Sequence, residues 1–317
     1  MRVLVTGGAG FIGSHLAERL VEEGNEVVVL DNLDLYYNIK IKKKNIQIIR
    51  EKGCKFVEGD VTDYKFVKNI IKDIDIIFHE AARPGVRASI KDPFTSNLVN
   101  VNGILNILKA SVESNVKKVI NASSSSVYGK VEYLPFDEKH PTQPLSPYGV
   151  SKLAAEHYCR VFYEIYGLPT VSLRYFTVYG PRMRPDLAIP IFTKSMLNNE
   201  SVIIFGDGEQ TRDFTYIDDI INANLNIMKT NRADGEVLNI GGEHYVTINY
   251  LVNTLKAMLG SNSHVIYNES VKGDARHTLA NIDKAKQLIG YKPKVLLEDG
   301  LNRFVKWYKE NKDFYEA

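Results

Sequence analysis

The stretch "RVLVTGGAGFIGSHLAERLVEEG" at the start of this 317-residue chain limits its fold more tightly than anything after it. A five-residue apolar run reads as a strand, and the pattern that follows places Leu16, Leu20 and Val21 on one side of a helix. Between them stand Gly7, Gly10 and Gly13, where missing side chains let a backbone approach a diphosphate at the positive end of the helix. Asp31 closes the second apolar run, "EVVVLDN", at the position where a carboxylate can hold an adenosine ribose. Because Asp31 repels a 2′-phosphate and no arginine follows it closely, the expected cofactor is NAD and not NADP.

Further apolar runs, "KFVEGDV", "IDIIFHEA", "KKVINASSSS" and "PTVSLRYF", alternate with helical patterns such as "SKLAAEHYCRVFYEIYG", which Gly167 closes. This alternation predicts an α/β fold, a doubly wound parallel sheet of Rossmann type with a smaller α/β substrate-binding lobe. The cofactor domain is expected over residues 1–175, with a returning segment at about 213–245 that includes "EVLNIGG". Residues 176–317 are expected to form mainly the substrate lobe, with helices near 190–198 and 248–259.

Forty basic and thirty-eight acidic residues leave a net charge of +2, which gives no nucleic-acid footprint. The "KIKKK" run from Lys40 to Lys44 reads as a solvated helix face. Cys54 and Cys159 lie far apart and outside any CxxC pattern, and the histidines form no metal-binding pair; no metal is expected. No apolar run is long enough to span a bilayer, and a cytoplasmic location is expected.

"SPYGVSK" puts Tyr148 and Lys152 four residues apart at a helix start, hence on one face. An ammonium about 4 Å from a phenol is worth about 4 kcal/mol at an effective dielectric of ~20, enough to bring a tyrosine toward neutrality as a base. YxxxK alone is a common helix-surface accident; the weight comes from "ASSSSVYG", which ends a strand with Ser123 to Ser126 at the sheet edge where open α/β folds hold ligands. A hydroxyl there can relay a proton to Tyr148, although a serine cluster also suits a plain capped loop.

In this order the glycine loop, Asp31, "GDV", "HEAA", "NVNG", "SSSSVYG", "SPYGVSK", "LRYF" and "RDFTYIDD" resemble the NAD-dependent sugar-nucleotide epimerase/dehydratase family of extended short-chain dehydrogenases/reductases, over nearly the whole chain. The resemblance implies Ser124, Tyr148 and Lys152 as catalytic residues. For the cofactor it implies Gly7, Gly10, Phe11, Ile12, Gly13, Asp31 and Asn32 at the first turns, with Asp60 and Val61 beside the adenine. Ala81, Ala82, Asn100 and Tyr175 complete that set, together with Tyr148 and Lys152. Arg212 and Arg276 are implied to reach the diphosphate or uridine. Many members carry arginine where this chain has Val271, which leaves part of the diphosphate grip open.

Members that eliminate water or carbon dioxide carry acids just after the catalytic hydroxyl, whereas this chain has Ser125 and Ser126 at the substrate. The resemblance therefore implies C4 epimerisation of a UDP-sugar through a 4-keto intermediate. The loop "FTVYGPRMRPD" and "PGVR", ending in Arg87, look like those of UDP-glucuronate 4-epimerases; Thr177 and Arg184 are expected to hold a sugar carboxylate. Against this, "GDARHTLANIDKA" is similar to UDP-N-acetylglucosamine 4-epimerases, with small Thr278 where a bulkier gate often stands. UDP-glucose or UDP-N-acetylglucosamine thus remain alternatives, as does a non-catalytic NAD-binding scaffold on the same fold. A homodimer is expected through the helix near 97–113, with Leu98, Val101, Leu105 and Leu108 in stripes, and the helix carrying Tyr148.

Overall fold

The computed structural model of the chain describes every residue except Val271, Lys272, Asp274 and Ala317, so the Val271 position singled out above lies outside the described residues. Seven strands, β1 (Arg2–Thr6), β2 (Glu26–Asp31), β3 (Lys55–Glu58), β4 (Ile76–His79), β5 (Lys118–Ser124), β6 (Thr170–Tyr175) and β7 (Val237–Ile240), form one parallel sheet in the order β7-β6-β5-β4-β1-β2-β3. Val3, Leu4 and Val5 of β1 are wholly buried, because helices cover both faces and each strand must be apolar on both sides. The strand order reverses between β1 and β4, and a crevice opens outside their carboxyl ends.

Helix α1 (Phe11–Glu22) leaves that crevice directly after the glycine loop. Gly7 has φ +67°, and a Cβ on it would stand 2.6 Å from the backbone nitrogen of Ala81, so no other residue fits there. A Cβ on Gly13 would meet the Gly7 carbonyl at 2.5 Å, which fixes how closely α1 enters against the strand. Helix α2 (Ile39–Glu51) carries the lysine run. Lys40 and Lys43 are exposed as expected, but Lys42 is buried and its Nζ lies 3.3 Å from Asp31 Oδ1. The solvated-face reading fails at that residue because the helix turns it inward toward the end of β2.

Helices α3 (Gly103–Glu113) and α4 (Pro147–Tyr166) pack on the other side of the sheet; Ser146 caps α4 through a bond to the Gly149 amide, and Gly167 ends it in the left-handed region. A buried ion pair ties α4 to the sheet: Arg174 Nε and Nη2 bond the two Glu156 carboxylate oxygens at 2.9 and 2.7 Å. Beyond β6 come α5 (Ala188–Leu197), α6 (Ile217–Met228) and α7 (Ile248–Leu259), with β7 rejoining the main sheet after α6. Three two-stranded pairs organise the remainder, including Thr211–Asp213 against Tyr245–Thr247 and Val202–Phe205 beside Val265–Asn268. Among the described residues no helix is long and apolar enough to cross a membrane.

Candidate active site

The crevice deepens into a cavity of about 1380 Å³ between the sheet edge and the segments after β6. That exceeds the space one small ligand fills, and suits a dinucleotide with a second ligand. Every site residue expected from the sequence borders it except Asp60 and Asn100. Asp60 instead accepts bonds from the Thr62 amide and the Asn32 side chain, each at 2.8 Å. Asn100 is buried behind the wall, bonding the Arg83 backbone and donating to Ser151 Oγ at 2.9 Å. Asn100 is buried, whereas Asp60 stays half-exposed beside Val61, which does line the cavity.

The glycine end fits a dinucleotide. Helix α1 has no side-chain cap and no acid in its first turn, so its leading amides and dipole are left for an anion. Gly10 is less crowded than Gly7 and Gly13; a Cβ there would meet the Gly7 carbonyl alone, at 3.0 Å. Its bareness keeps the mouth of the helix open. Asp31 is oriented by the amides of Ala9 and Leu33, at 3.2 and 2.9 Å, and by Lys42.

At the end of β5, Ser124 Oγ accepts from the Ser126 amide at 3.2 Å, and its hydroxyl acts to lower the Tyr148 pKa. The start of α4 is fixed by Ser89 Oγ, which accepts from the Tyr148 amide at 3.0 Å. Lys152 donates to the Ala122 carbonyl at 2.7 Å, and its Nζ stands 6.0 Å from the Tyr148 ring centroid. Burial raises the Tyr148 hydroxyl above its ordinary pKa, against lowering by Ser124 and Arg184. Burial also draws Lys152 down to about 8, against Glu80, Glu156 and Cys159. Against the expectation that one ammonium brings the tyrosine toward neutrality, burial is the largest influence on Tyr148 here and it works in the opposite direction.

The loop after β6 answers for its two arginines separately. Arg182 is buried, has φ +61°, and pairs with Glu18 of α1 at 2.6 Å, so it anchors the loop and does not border the cavity. Arg184 lines the cavity; its Nε and Nη2 bond Asp186 at 3.0 and 3.1 Å, and its charge reaches Tyr148. Tyr36 lies under it and donates to Asp186 at 3.2 Å. Arg212 and Arg276 border a different part of the wall, where Arg276 pairs with Asp207 and Arg212 donates to the Thr211 and Arg276 carbonyls. Arg87 stacks 4.5 Å from the Phe205 ring. Thr278 is buried, its hydroxyl accepting from the Asp213 amide at 3.3 Å.

Sequence reasoning missed Lys42, Asp186 and Glu80. Glu80, inside the quoted "HEAA", borders the cavity and accepts a 2.9 Å bond from the Tyr175 hydroxyl. Its position one residue beyond the end of β4 was the available signal.

Residues 4–304 match the family described as GDP-mannose 4,6 dehydratase. A UDP-glucuronate 4-epimerase of Thermodesulfobacterium geofontis is 39% identical over 313 residues, covering 97% of this chain and 96% of that protein. Among solved structures, UDP-glucuronic acid 4-epimerase from Bacillus cereus, in complex with UDP-glucuronic acid and NAD, superposes with a TM-score of 0.94 at 40% identity, over 98% of this chain and 99% of its own. UDP-glucose 4-epimerase from Thermotoga maritima, with UDP-glucose, gives 0.92 at 38% identity, over 98% and 100%.

Proposed function

The chain belongs to the GDP-mannose 4,6-dehydratase-like family of extended short-chain dehydrogenases/reductases, and we propose that it is an NAD-dependent 4-epimerase acting on UDP-glucuronate. The observation that carries the substrate is the place of Arg184: a guanidinium on the cavity wall close enough to bias Tyr148, whereas Arg276 pairs with Asp207. A cation near the reacting hydroxyl suits an acidic group on the sugar ring, while one near Asp207 suits the diphosphate.

Bound NAD supplies reversible hydride transfer at the sugar's fourth carbon. The chain's part is protonic and positional. Tyr148 takes the O4 proton and returns it, Ser124 bridges the sugar hydroxyl to Tyr148, and Lys152 holds positive charge beside them. Ser125 and Ser126 offer no acid for an elimination, so the 4-keto sugar is left to turn and accept hydride on its other face. Thr177 and Arg184 grip the carboxylate during that turn. Residues 1–175 with the returning segment serve the dinucleotide, and residues 176–317 mainly the UDP-sugar.

A neutral UDP-sugar is the second reading, favoured by two features: Asp186 already gives Arg184 a carboxylate, and Thr278 is small and turned toward Asp213. Offering the purified protein UDP-glucuronate, UDP-glucose and UDP-N-acetylglucosamine, with products separated by chromatography, decides between them. Epimerisation of UDP-glucose or UDP-N-acetylglucosamine with none of UDP-glucuronate would reject the first reading.

The assembly we propose is a homodimer. Phe94 and Leu98 are 85% and 50% exposed, as are Val150 and Ile165 of α4 at 54% and 69%, an apolar face that a second copy would cover. Of the stripe expected from sequence, Leu108 is buried and Val101 and Leu105 half-buried, so Leu98 is its partner-facing member. Two buried free cysteines suit a reducing compartment, and the cytoplasm is the location we propose.

A further inference from the structure

A carboxylate on the wall of a cavity that handles a redox cofactor needs a reason to be there. Glu80 is fastened by the Tyr175 hydroxyl at 2.9 Å, and that hydroxyl in turn accepts from Asn224 Nδ2 of α6 at 2.9 Å. Asn224 is itself tied to the Ile220 carbonyl at 2.9 Å. The carboxylate is thus held by a built network and not left to find its own place. Among the described residues no arginine or lysine forms an ion pair with it, yet it acts electrostatically on both Tyr148 and Lys152.

We propose that Glu80 is the charge-setting residue of this site: its carboxylate favours the oxidised, cationic nicotinamide over the neutral reduced one, and the Tyr175–Asn224 network holds it in place to do so. This rests on reading the cavity as an NAD site. Hydride transfer from the sugar removes one positive charge from the nicotinamide while Tyr148 gains a proton. A fixed anion nearby therefore opposes reduction, and so disfavours the stage at which a keto sugar can escape. With Glu80 ionised the resting cofactor is kept oxidised and ready.

The surroundings allow that charge to vary near neutrality. Burial pushes Glu80 up to about 7, against lowering by the Tyr175 bond and by Lys152. The groups facing it are Lys152 and Tyr148 from α4, Tyr175 from β6 and the uncharged Asn224 from α6. Its strand neighbour His79, driven down to about 3 by burial and by Lys152, is neutral. The ionised form grows as pH rises, so preference for NAD⁺ over NADH should rise through about pH 7, with a second step near pH 8 as Lys152 loses its charge.

The test measures affinities of the intact, cofactor-stripped chain for NAD⁺ and NADH, with no sugar nucleotide present. A wrong sugar assignment therefore cannot affect it. Glu80→Gln should lower the NAD⁺:NADH affinity ratio at pH 8 by about tenfold, the effect of one partly screened charge, and should remove the part of its rise centred near pH 7, leaving only that of Lys152 near pH 8. Tyr175→Phe, which removes a bond that lowers the Glu80 pKa, should move the rise to higher pH. Equal weakening of both cofactor forms in Glu80→Gln, with the ratio within twofold of the parent, would mean a packing role and overturn the proposal. So would a parent ratio that is flat from about pH 6 to 8.5, a result that needs no variant to fold.

Discussion

Replacing Arg184 with alanine separates the two substrate readings by the pattern of loss. Two effects follow from the structure. The first is removal of a charge-assisted bond to a sugar carboxylate, worth about 1.5–3 kcal/mol per bond. Asp186 already occupies the Nε and Nη2 edge, so one or two such bonds are available; because two bonds from one guanidinium do not add fully, they give about 2–4 kcal/mol, or roughly thirty- to a thousandfold in kcat/KM for UDP-glucuronate. The second is shared by all substrates: Arg184 helps lower the Tyr148 pKa, so its loss raises that pKa and costs any sugar up to about tenfold at neutral pH. Steady-state assays on the three UDP-sugars across pH resolve the two, since the shared part is a displacement of the acidic limb toward higher pH. A thirtyfold or greater additional loss confined to UDP-glucuronate is expected. Equal losses on every substrate would refute the carboxylate role and place Arg184 at the diphosphate or in the acid–base machinery alone.

Tyr148→Phe should retain the fold and the bound cofactor while losing about a thousandfold or more in turnover, because the proton acceptor is gone and the ring still packs; turnover and cofactor absorbance measured on one sample check it. Asp31→Ala removes the ribose partner and leaves the buried Lys42 without its carboxylate, so binding titrations should show the preference for NAD over NADP shrinking or reversing. Arg174→Met breaks a buried pair whose side chains are 6% and 4% exposed; thermal or denaturant unfolding should report a loss of about 3–5 kcal/mol, most of it recovered when Glu156 is also replaced by an apolar residue. Light scattering at micromolar concentration should give a dimer, and a monomer there would leave the exposed Phe94 and Ile165 face without its proposed cover.

What the sequence made legible was local. The glycine loop, the cap at Ser146 and the spacing of Tyr148 and Lys152 are settled within a few residues of chain, and the sheet follows from apolar runs that must be covered on both faces. What it hid were partners chosen by the fold. Arg182 and Glu18 are separated by 164 positions, and nothing near either residue signals the pair. Lys42 sat in a run whose Lys40 and Lys43 are exposed, and only the rotation of α2 distinguishes it. Asp186 was quoted in the same loop as Arg184 without being read as its partner, because a two-residue spacing predicts no contact outside regular structure. Asn100 and Asp60 were assigned by likeness to the cofactor, and their bonds to Ser151 and Thr62 could not be read from the sequence.

The anchoring of Arg182 to Glu18 bears on how such proteins are rebuilt. A designer who wished to change the sugar handled would naturally transplant residues 176–189 from a relative, treating them as an interchangeable cassette. That cassette is buttoned to α1, the helix that opens the dinucleotide site, by a bidentate pair with contacts of 2.6 and 3.3 Å. A graft lacking an arginine at position 182 would strand Glu18, and one carrying a differently placed arginine would pull on the helix. The exchangeable unit therefore includes position 18, and chimaeras built without it would show changed cofactor retention as well as changed sugar choice.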